Sequence, residues 1–343
     1  MSFDFSAQLP LSRHAIDRDH AARGHADLLQ NLWADAATRV LPLWRDRALL
    51  AADPTLTSAP AASPRLDLLP PDQIEDATLL VYLGLSLDER SPEPVGTPIV
   101  AARLEESAAA RLQPDQSRWV SLRTIAATLS DRDAGAFAEA TGVVNWHDSH
   151  THCPRCGAAT VVEDSGWTRR CPIDGSQVFP RTDPAVIVLI TDDDDRVLLG
   201  SNAMWENNRY SLLAGFVEPG ESLEAAVIRE MHEESGLRVT DVTYRGSQPW
   251  PFPASIMCGF TARLADGQSP DALLPDGEEI LDLRWFSRAA LRAEGDSIVL
   301  PGPSSIARAL LDRWRDAEPA DAGKPPRLAD LPGLASDSGG PNG

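Results

Sequence analysis

Residues 215–237 read GFVEPGESLEAAVIREMHEESGL, and their carboxylates are the first place to look for chemistry. Pro219-Gly220 forces a turn, Ser222 is placed to cap a helix, and Gly236 suits its C-terminal stop. At about 100° per residue, Leu223, Ala226, Val227 and Met231 form one apolar arc. Glu230 and Glu234, an i,i+4 pair, fall inside that arc, and Glu233 sits on its edge. Like charges at this spacing repel, and burying them unpaired is costly. A hard divalent cation resolves both problems, because Mg²⁺ takes carboxylate and phosphate oxygens together. The expectation is a metal-carrying carboxylate helix.

The spacing is specific as well as suggestive. Gly215, five residues, Glu221, seven residues, then Arg229-Glu230-Met231-His232-Glu233-Glu234-Ser235-Gly236-Leu237 resembles the Nudix box at every fixed position. That resemblance implies a loop-helix-loop holding Mg²⁺ or Mn²⁺ and hydrolysis of a nucleoside diphosphate linked to another group. It implies Glu230, Glu233 and Glu234 as metal ligands or general base, with Arg229 orienting a carboxylate by an ion pair.

A second stretch, SQPWPFPAS at residues 247–255, is rigid and aromatic; each X-Pro step drives the preceding residue into an extended conformation. It is either a structural brace or a wall that reads a flat ligand. It resembles the segment that marks the NADH pyrophosphatase (NAD-capped RNA hydrolase) branch of the Nudix family. There the loop contacts the dinucleotide, which implies contacts from Gln248, Pro249, Trp250, Pro251, Phe252, Pro253, Ala254 and Ser255. The same resemblance implies base stacking by Phe216, a backbone contact from Ala214 and a base contact from Ala307. It further implies a metal-binding carboxylate at Glu279, a substrate contact from Arg123 and a stacking position at Phe179.

Elements must position these groups. Residues 25–52 begin helical in HADLLQNLWADAATRV and turn strand-like in VLPLWRDRALLA. ATLLVYLGLSL and TPIVAARL read as strands, and RDAGAFAEATGVVNWH as a helix. After Thr182 short strands follow one another, interrupted by helices at about Ser222–Ser235 and Ser305–Arg315. TDDDDR between the first two of those strands reads as a solvated hairpin turn, and the Pro/Ala/Ser-rich run from Pro54 to Pro64 as a loop. The expected class is α+β: a Nudix fold, a mixed sheet sandwiched by helices, behind a Nudix-like N-terminal domain and a small zinc ribbon. The expected boundaries are 1–147 for the N-terminal domain, 148–182 for the ribbon, 183–316 for the catalytic domain and 317–343 for a disordered tail.

The cysteines support the ribbon. CPRCG followed by CPIDG looks like two zinc knuckles, with Cys153, Cys156 and Cys171 as thiolate donors. Asp174 stands where the pattern normally has cysteine. Either it supplies an oxygen ligand, or His150 or His152 completes the site, or zinc is not retained. Cys258, in SIMCGF, reads as a buried structural thiol.

Totals narrow the partners. With 51 acidic against 31 basic residues the net charge is −20, which argues against a general nucleic-acid binder. No basic segment precedes an apolar one at the N-terminus, and no apolar run reaches the ~18–20 residues that span a bilayer. A cytoplasmic protein without membrane attachment is expected, and the resemblance implies a homodimer. It implies hydrolysis of NADH or NAD to nicotinamide mononucleotide and AMP, and action on NAD-capped RNA. The alternatives are a Nudix pyrophosphatase acting on ADP-ribose or another dinucleotide, and a zinc-ribbon binding module on an inactive Nudix scaffold.

Overall fold

The structure, a computed structural model, describes residues 5, 8–52, 63–205, 208–293 and 297–317. Most of the run from Pro54 to Pro64 and nearly all of the tail expected at 317–343 lie outside the described residues.

Two six-stranded sheets share one plan. In the N-terminal sheet the strand order is Ile16–Asp17, Ala77–Ser86, Pro98–Leu104, Arg39–Trp44, Arg47–Leu49 and Trp119–Ser121. Its one parallel pair joins Arg39–Trp44 to Pro98–Leu104. In the second sheet, Val239–Trp250, Ser255–Leu264, Asp183–Thr191, Val197–Asn202 and Ile280–Phe286 run in that order, with Leu213–Phe216 also paired to Asp183–Thr191. Here too one pair is parallel, Asp183–Thr191 with Ser255–Leu264. Both sheets are therefore mixed, and helices cover them. The second sheet is buried on both faces. Ile187 and Leu189 look toward the helix Ile306–Asp316, while Val186, Val188 and Ile190 look toward Leu223–Ser235. Alternation along one strand thus feeds two cores.

The helix Asp131–Ser149 fills the N-terminal core, capped by the Ser130 hydroxyl accepting from Asp133 N–H. Between the domains lies a three-stranded antiparallel hairpin sheet, Val161–Glu163, Thr168–Arg170 and Gln177–Val178. It docks on the N-terminal domain through Trp167, whose indole N–H donates to Tyr82 O at 2.8 Å. Gly166 sits so close that a Cβ there would meet Leu80 O at 2.9 Å.

Three expectations need revision. Phe5 and Leu9 pack into the core around Ile306–Asp316, so the first residues belong to the catalytic domain's packing rather than to that of 1–147. Their apolar spacing carries no sign of which core takes them. The helix expected to fill HADLLQNLWADAATRV is confined to Leu28–Ala34, ended before Asp35 and the turn ahead of Arg39–Trp44. The TDDDDR turn is not wholly solvated. Asp192 is buried, accepts from Asp194 N–H and Arg196 N–H, and pairs with the Arg196 guanidinium at 2.6 Å, while Asp195 pairs with Arg288 at 2.7 Å.

One buried carboxylate marks the seam between N-terminal domain and ribbon. Glu139 lies 3.8 Å from both Arg18 and Arg23, and Arg23 stacks on Trp167 at 3.7 Å. Burial pushes its pKa up to about 7, against the opposing pull of the two guanidinia. A carboxyl raised in the folded state contributes stability that is present below its unfolded value and lost as pH rises through about 7. Glu139→Gln should therefore flatten the fall in Tm between pH 5 and pH 8, measured by differential scanning fluorimetry. Parallel wild-type and variant curves would contradict this.

Candidate active site and zinc cluster

The helix Leu223–Ser235 begins at Ser222, whose hydroxyl accepts from Ala225 N–H, and stops at Gly236 in the left-handed region at φ 70°. This fixes its rotation, and with it the directions of three glutamates. Arg229 gathers the surrounding loop: it donates to Glu221 at 2.5 Å, to Glu230 and Glu233 at 2.9 Å each, and to Phe216 O at 2.9 Å. Glu230 lies so tightly under the strand that a Cβ on Gly215 would fall 1.9 Å from its carboxyl carbon. Only glycine leaves that carboxylate its place.

Glu234 is different. It is 5% exposed, its carboxylate meets the backbone of Ala214, and Oε2 has no hydrogen-bond partner. Burial, then the charges of Glu279, Glu230 and Asp276, push its pKa up to about 8. A buried carboxylate oxygen with no donor, crowded by other carboxylates, has the chemistry of a cation ligand. Glu230 is also raised by burial, with the Arg229 hydrogen bond opposing. Glu233 is mostly exposed and bound only to Arg229. These carboxylates do not close into a compact cage, which suits a cation that keeps water and takes phosphate oxygens.

Glu234 opens onto a cavity of about 480 Å³. Six of the residues expected in a site line it: Arg123, Ala214, Glu234, Trp250, Glu279 and Ala307. Glu279 accepts from Asn202 Nδ2 at 3.3 Å. Arg123 comes from the N-terminal domain and stacks on Phe252 at 3.8 Å and Trp250 at 5.2 Å, so both domains build one wall.

The proline-aromatic track divides its work. It is extended only as far as Trp250, in an edge strand where Pro249, lacking an N–H, does no harm. It then turns, and Ser255 pairs back with Trp250. Asn145 of the N-terminal helix donates to Pro251 O at 2.9 Å and Pro253 O at 3.1 Å, clamping that turn. Gln248 is fully buried and donates to Ser304 O at 2.7 Å, tying the strand to the loop before the last helix. Pro249, Pro251, Ala254 and Ser255 border a separate groove of about 250 Å³ beside Glu139. Of the track, Trp250 alone lines the cavity.

Two expected stacking residues stand elsewhere. Phe179 and Phe216 are each 60% exposed and do not line the cavity. Conversely, Trp205, Arg209 and Ser304 line it and were not anticipated. They come from connections without periodicity, and their types alone carried no signal.

The cysteine cluster has its own geometry. Donor atoms of Cys153, Cys156, Cys171 and Asp174 all lie within 4.8 Å of one another, the only such group of three or more among the described residues. His150 and His152 are outside it. Cys156 Sγ to Cys171 Sγ is 3.4 Å and Cys153 Sγ to Asp174 Oδ2 is 3.6 Å, with all thiols free. A tetrahedral zinc with bonds near 2.3 Å to sulfur implies edges of about 3.5–3.8 Å, so the set fits. Asp174 Oδ1 accepts from Ser176 N–H at 2.9 Å and from its hydroxyl at 2.5 Å, which aims Oδ2 at the cluster. Both knuckles close alike, with Gly157 N–H donating to Cys153 O and Gly175 N–H to Cys171 O.

Comparison with known proteins agrees with this organisation. Residues 37–146 match the NADH pyrophosphatase-like rudimentary NUDIX domain, 148–179 the NADH pyrophosphatase zinc ribbon domain and 181–301 the NUDIX domain. The chain is 44% identical over 209 residues to the NAD-capped RNA hydrolase NudC of Mycobacterium bovis, covering 58% of this chain and 66% of that protein. It is 36% identical over 200 residues to human NAD-capped RNA hydrolase NUDT12, covering 54% of this chain and 42% of that one. The matches thus span just under two thirds of the bacterial relative and less than half of the human one. On the succession of rudimentary NUDIX, zinc-ribbon and NUDIX domains, each in its place along the sequence, the chain belongs to the Nudix family.

Proposed function

We propose that this protein hydrolyses the pyrophosphate of NADH or NAD, releasing nicotinamide mononucleotide and AMP, and removes NAD caps from RNA. The observation that carries the reading is Glu234: buried, unpartnered at Oε2, and facing a cavity closed by Trp250 and Arg123. The names of the bacterial and human relatives support the same substrate class. Among the described residues no helix is long and apolar enough to cross a membrane. We assign a cytoplasmic homodimer, in keeping with the family resemblance.

Glu230, Glu233, Glu234 and Glu279 would hold Mg²⁺ or Mn²⁺. Such a cation supplies a Lewis acid for the phosphate oxygens and lowers the pKa of the attacking water. The chain's own residues do the rest. Arg229 holds Glu230 and Glu233 in position, and Gly215 leaves room for the first of them. Arg123 and Trp250 offer a guanidinium and an indole to the nucleotide. Water oxygen bonds to one phosphorus, the bond from that phosphorus to the bridging oxygen breaks, and the electron pair leaves with the other phosphate. The water's proton passes to one of the helix glutamates. Cys153, Cys156, Cys171 and Asp174 would hold a structural zinc.

A substrate panel tests the assignment: NADH, NAD, ADP-ribose and an NAD-capped oligonucleotide, each with Mg²⁺, Mn²⁺ or EDTA. NADH should exceed ADP-ribose in kcat/KM by roughly tenfold or more, since a wall built for a second aromatic half is left bare by ADP-ribose. EDTA should abolish turnover. Equal or better hydrolysis of ADP-ribose would replace the NADH assignment with the alternative pyrophosphatase.

A further inference from the structure

Of the four carboxylates proposed to hold the cation, three ride on the helix Leu223–Ser235, and each is fixed there. Glu230 is wedged under Gly215, Glu233 is bound by Arg229, and Glu234 is buried. Glu279 stands apart, exposed, one residue before the strand Ile280–Phe286. An exposed glutamate keeps its rotamer freedom unless polar contacts remove it. Yet Glu279 lines the same cavity as Glu234, and after burial its charge is the largest influence on Glu234.

The backbone of Glu279 is locked from two sides. Asp276 Oδ1 accepts from the N–H groups of Glu278, Glu279 and Ile280 at 2.9 Å each, and Glu279 O accepts from Ala203 N–H at 2.8 Å. Its side chain has one hydrogen-bond partner among the described residues: Asn202 Nδ2, donating to Oε1 at 3.3 Å. The Asn202 amide is itself oriented. Its Oδ1 accepts from Met204 N–H at 2.9 Å, which leaves Nδ2 for the carboxylate. Strand pairing also shifts at this point: Ser201 faces Asp282 and Asn202 faces Ile280, so Leu281 is an extra residue. Bulges of this kind re-aim side chains beside active sites.

The type of donor matters. An arginine on Glu279 would neutralise it and compete with a cation. A neutral amide holds one oxygen and leaves the charge and Oε2 free.

We propose that Asn202 is a positioning residue for the fourth carboxylate, holding Glu279 turned to the cavity that Glu234 lines, so that a cation meets a formed site. The inference rests on the metal-dependent reading above and deepens it. Removing such an outer partner typically costs about 10–100-fold in metal affinity or activity. The bond from Asn202 is neutral and long, so the lower end of that range is expected.

Isothermal titration of the full chain with Mn²⁺ alone, run as a double-mutant cycle, tests this. Asn202→Ala should weaken Mn²⁺ binding roughly tenfold and leave the metal-free Tm unchanged. Glu279→Ala should weaken it at least as far, and Asn202→Ala should add nothing in the Glu279→Ala background. Asn202→Asp keeps the acceptor for Met204 N–H and loses the donor to Glu279, so it should lower kcat on NADH as Asn202→Ala does. Unchanged Mn²⁺ affinity in Asn202→Ala, multiplying losses in the double variant, or wild-type turnover in Asn202→Asp overturns the proposal. Absence of Mn²⁺ binding by wild type removes both this role and the metal site. Absence of NADH turnover by wild type, with the Mn²⁺ coupling intact, removes the pyrophosphatase reading and leaves Asn202 in its role.

Discussion

Glu234→Gln should lower NADH turnover by roughly 10²–10⁴-fold, the range that removal of a positioned catalytic carboxyl produces. The substitution is nearly isosteric, and the buried site already withholds a hydrogen-bond donor from Oε2. The fold should therefore survive, and metal-free Tm should be equal to or above that of wild type. Stabilisation by Mn²⁺ should disappear, because a ligand that binds only the folded state raises Tm and the amide no longer binds it well. Glu233→Gln should cost less, because Glu233 is 58% exposed on its side chain and already neutralised by Arg229. Turnover within a few fold of wild type, with Mn²⁺ stabilisation intact, would remove Glu234 from the mechanism.

Cys171→Ser should have the largest effect on stability. Cys171 is buried at the centre of the second knuckle, 3.4 Å from Cys156. Structural zinc contributes folding free energy directly, and the ribbon it closes is docked against Tyr82 and Leu80 of the N-terminal domain. Loss of bound zinc and a fall in Tm on the order of 10 °C are expected. Asp174→Cys should tighten zinc binding, since it replaces an oxygen by the thiolate the site otherwise uses. Elemental analysis showing no zinc in freshly purified wild-type protein would contradict the assignment of this cluster.

Local signals in the sequence proved readable where one residue type has one physical job. Ser222 caps the helix expected of it, Gly236 ends that helix, the apolar arc places Glu234 inward, and Ser305 begins the last helix near its expected start. The cysteine spacing alone left Asp174 and the two histidines undecided; the fold brings Asp174 to the thiols and leaves His150 and His152 outside the cluster. What stayed hidden depends on tertiary closure. Phe216 alternates along its strand to the outer surface, Gln248 is buried against Ser304, and Phe5 reaches the opposite domain. Arg209 and Ser304 line one cavity only because two distant loops come to it. No periodicity within either loop announces that meeting.

On the proposed function, the carboxylate helix breaks a phosphoanhydride bond in a dinucleotide. The most direct measurement is the product pair from NADH in the substrate panel, separated by chromatography after incubation with Mg²⁺ or Mn²⁺. Reduced nicotinamide mononucleotide and AMP in equal amounts, absent in EDTA, are the predicted result. NADH left intact, or nicotinamide released together with ADP-ribose, would contradict it.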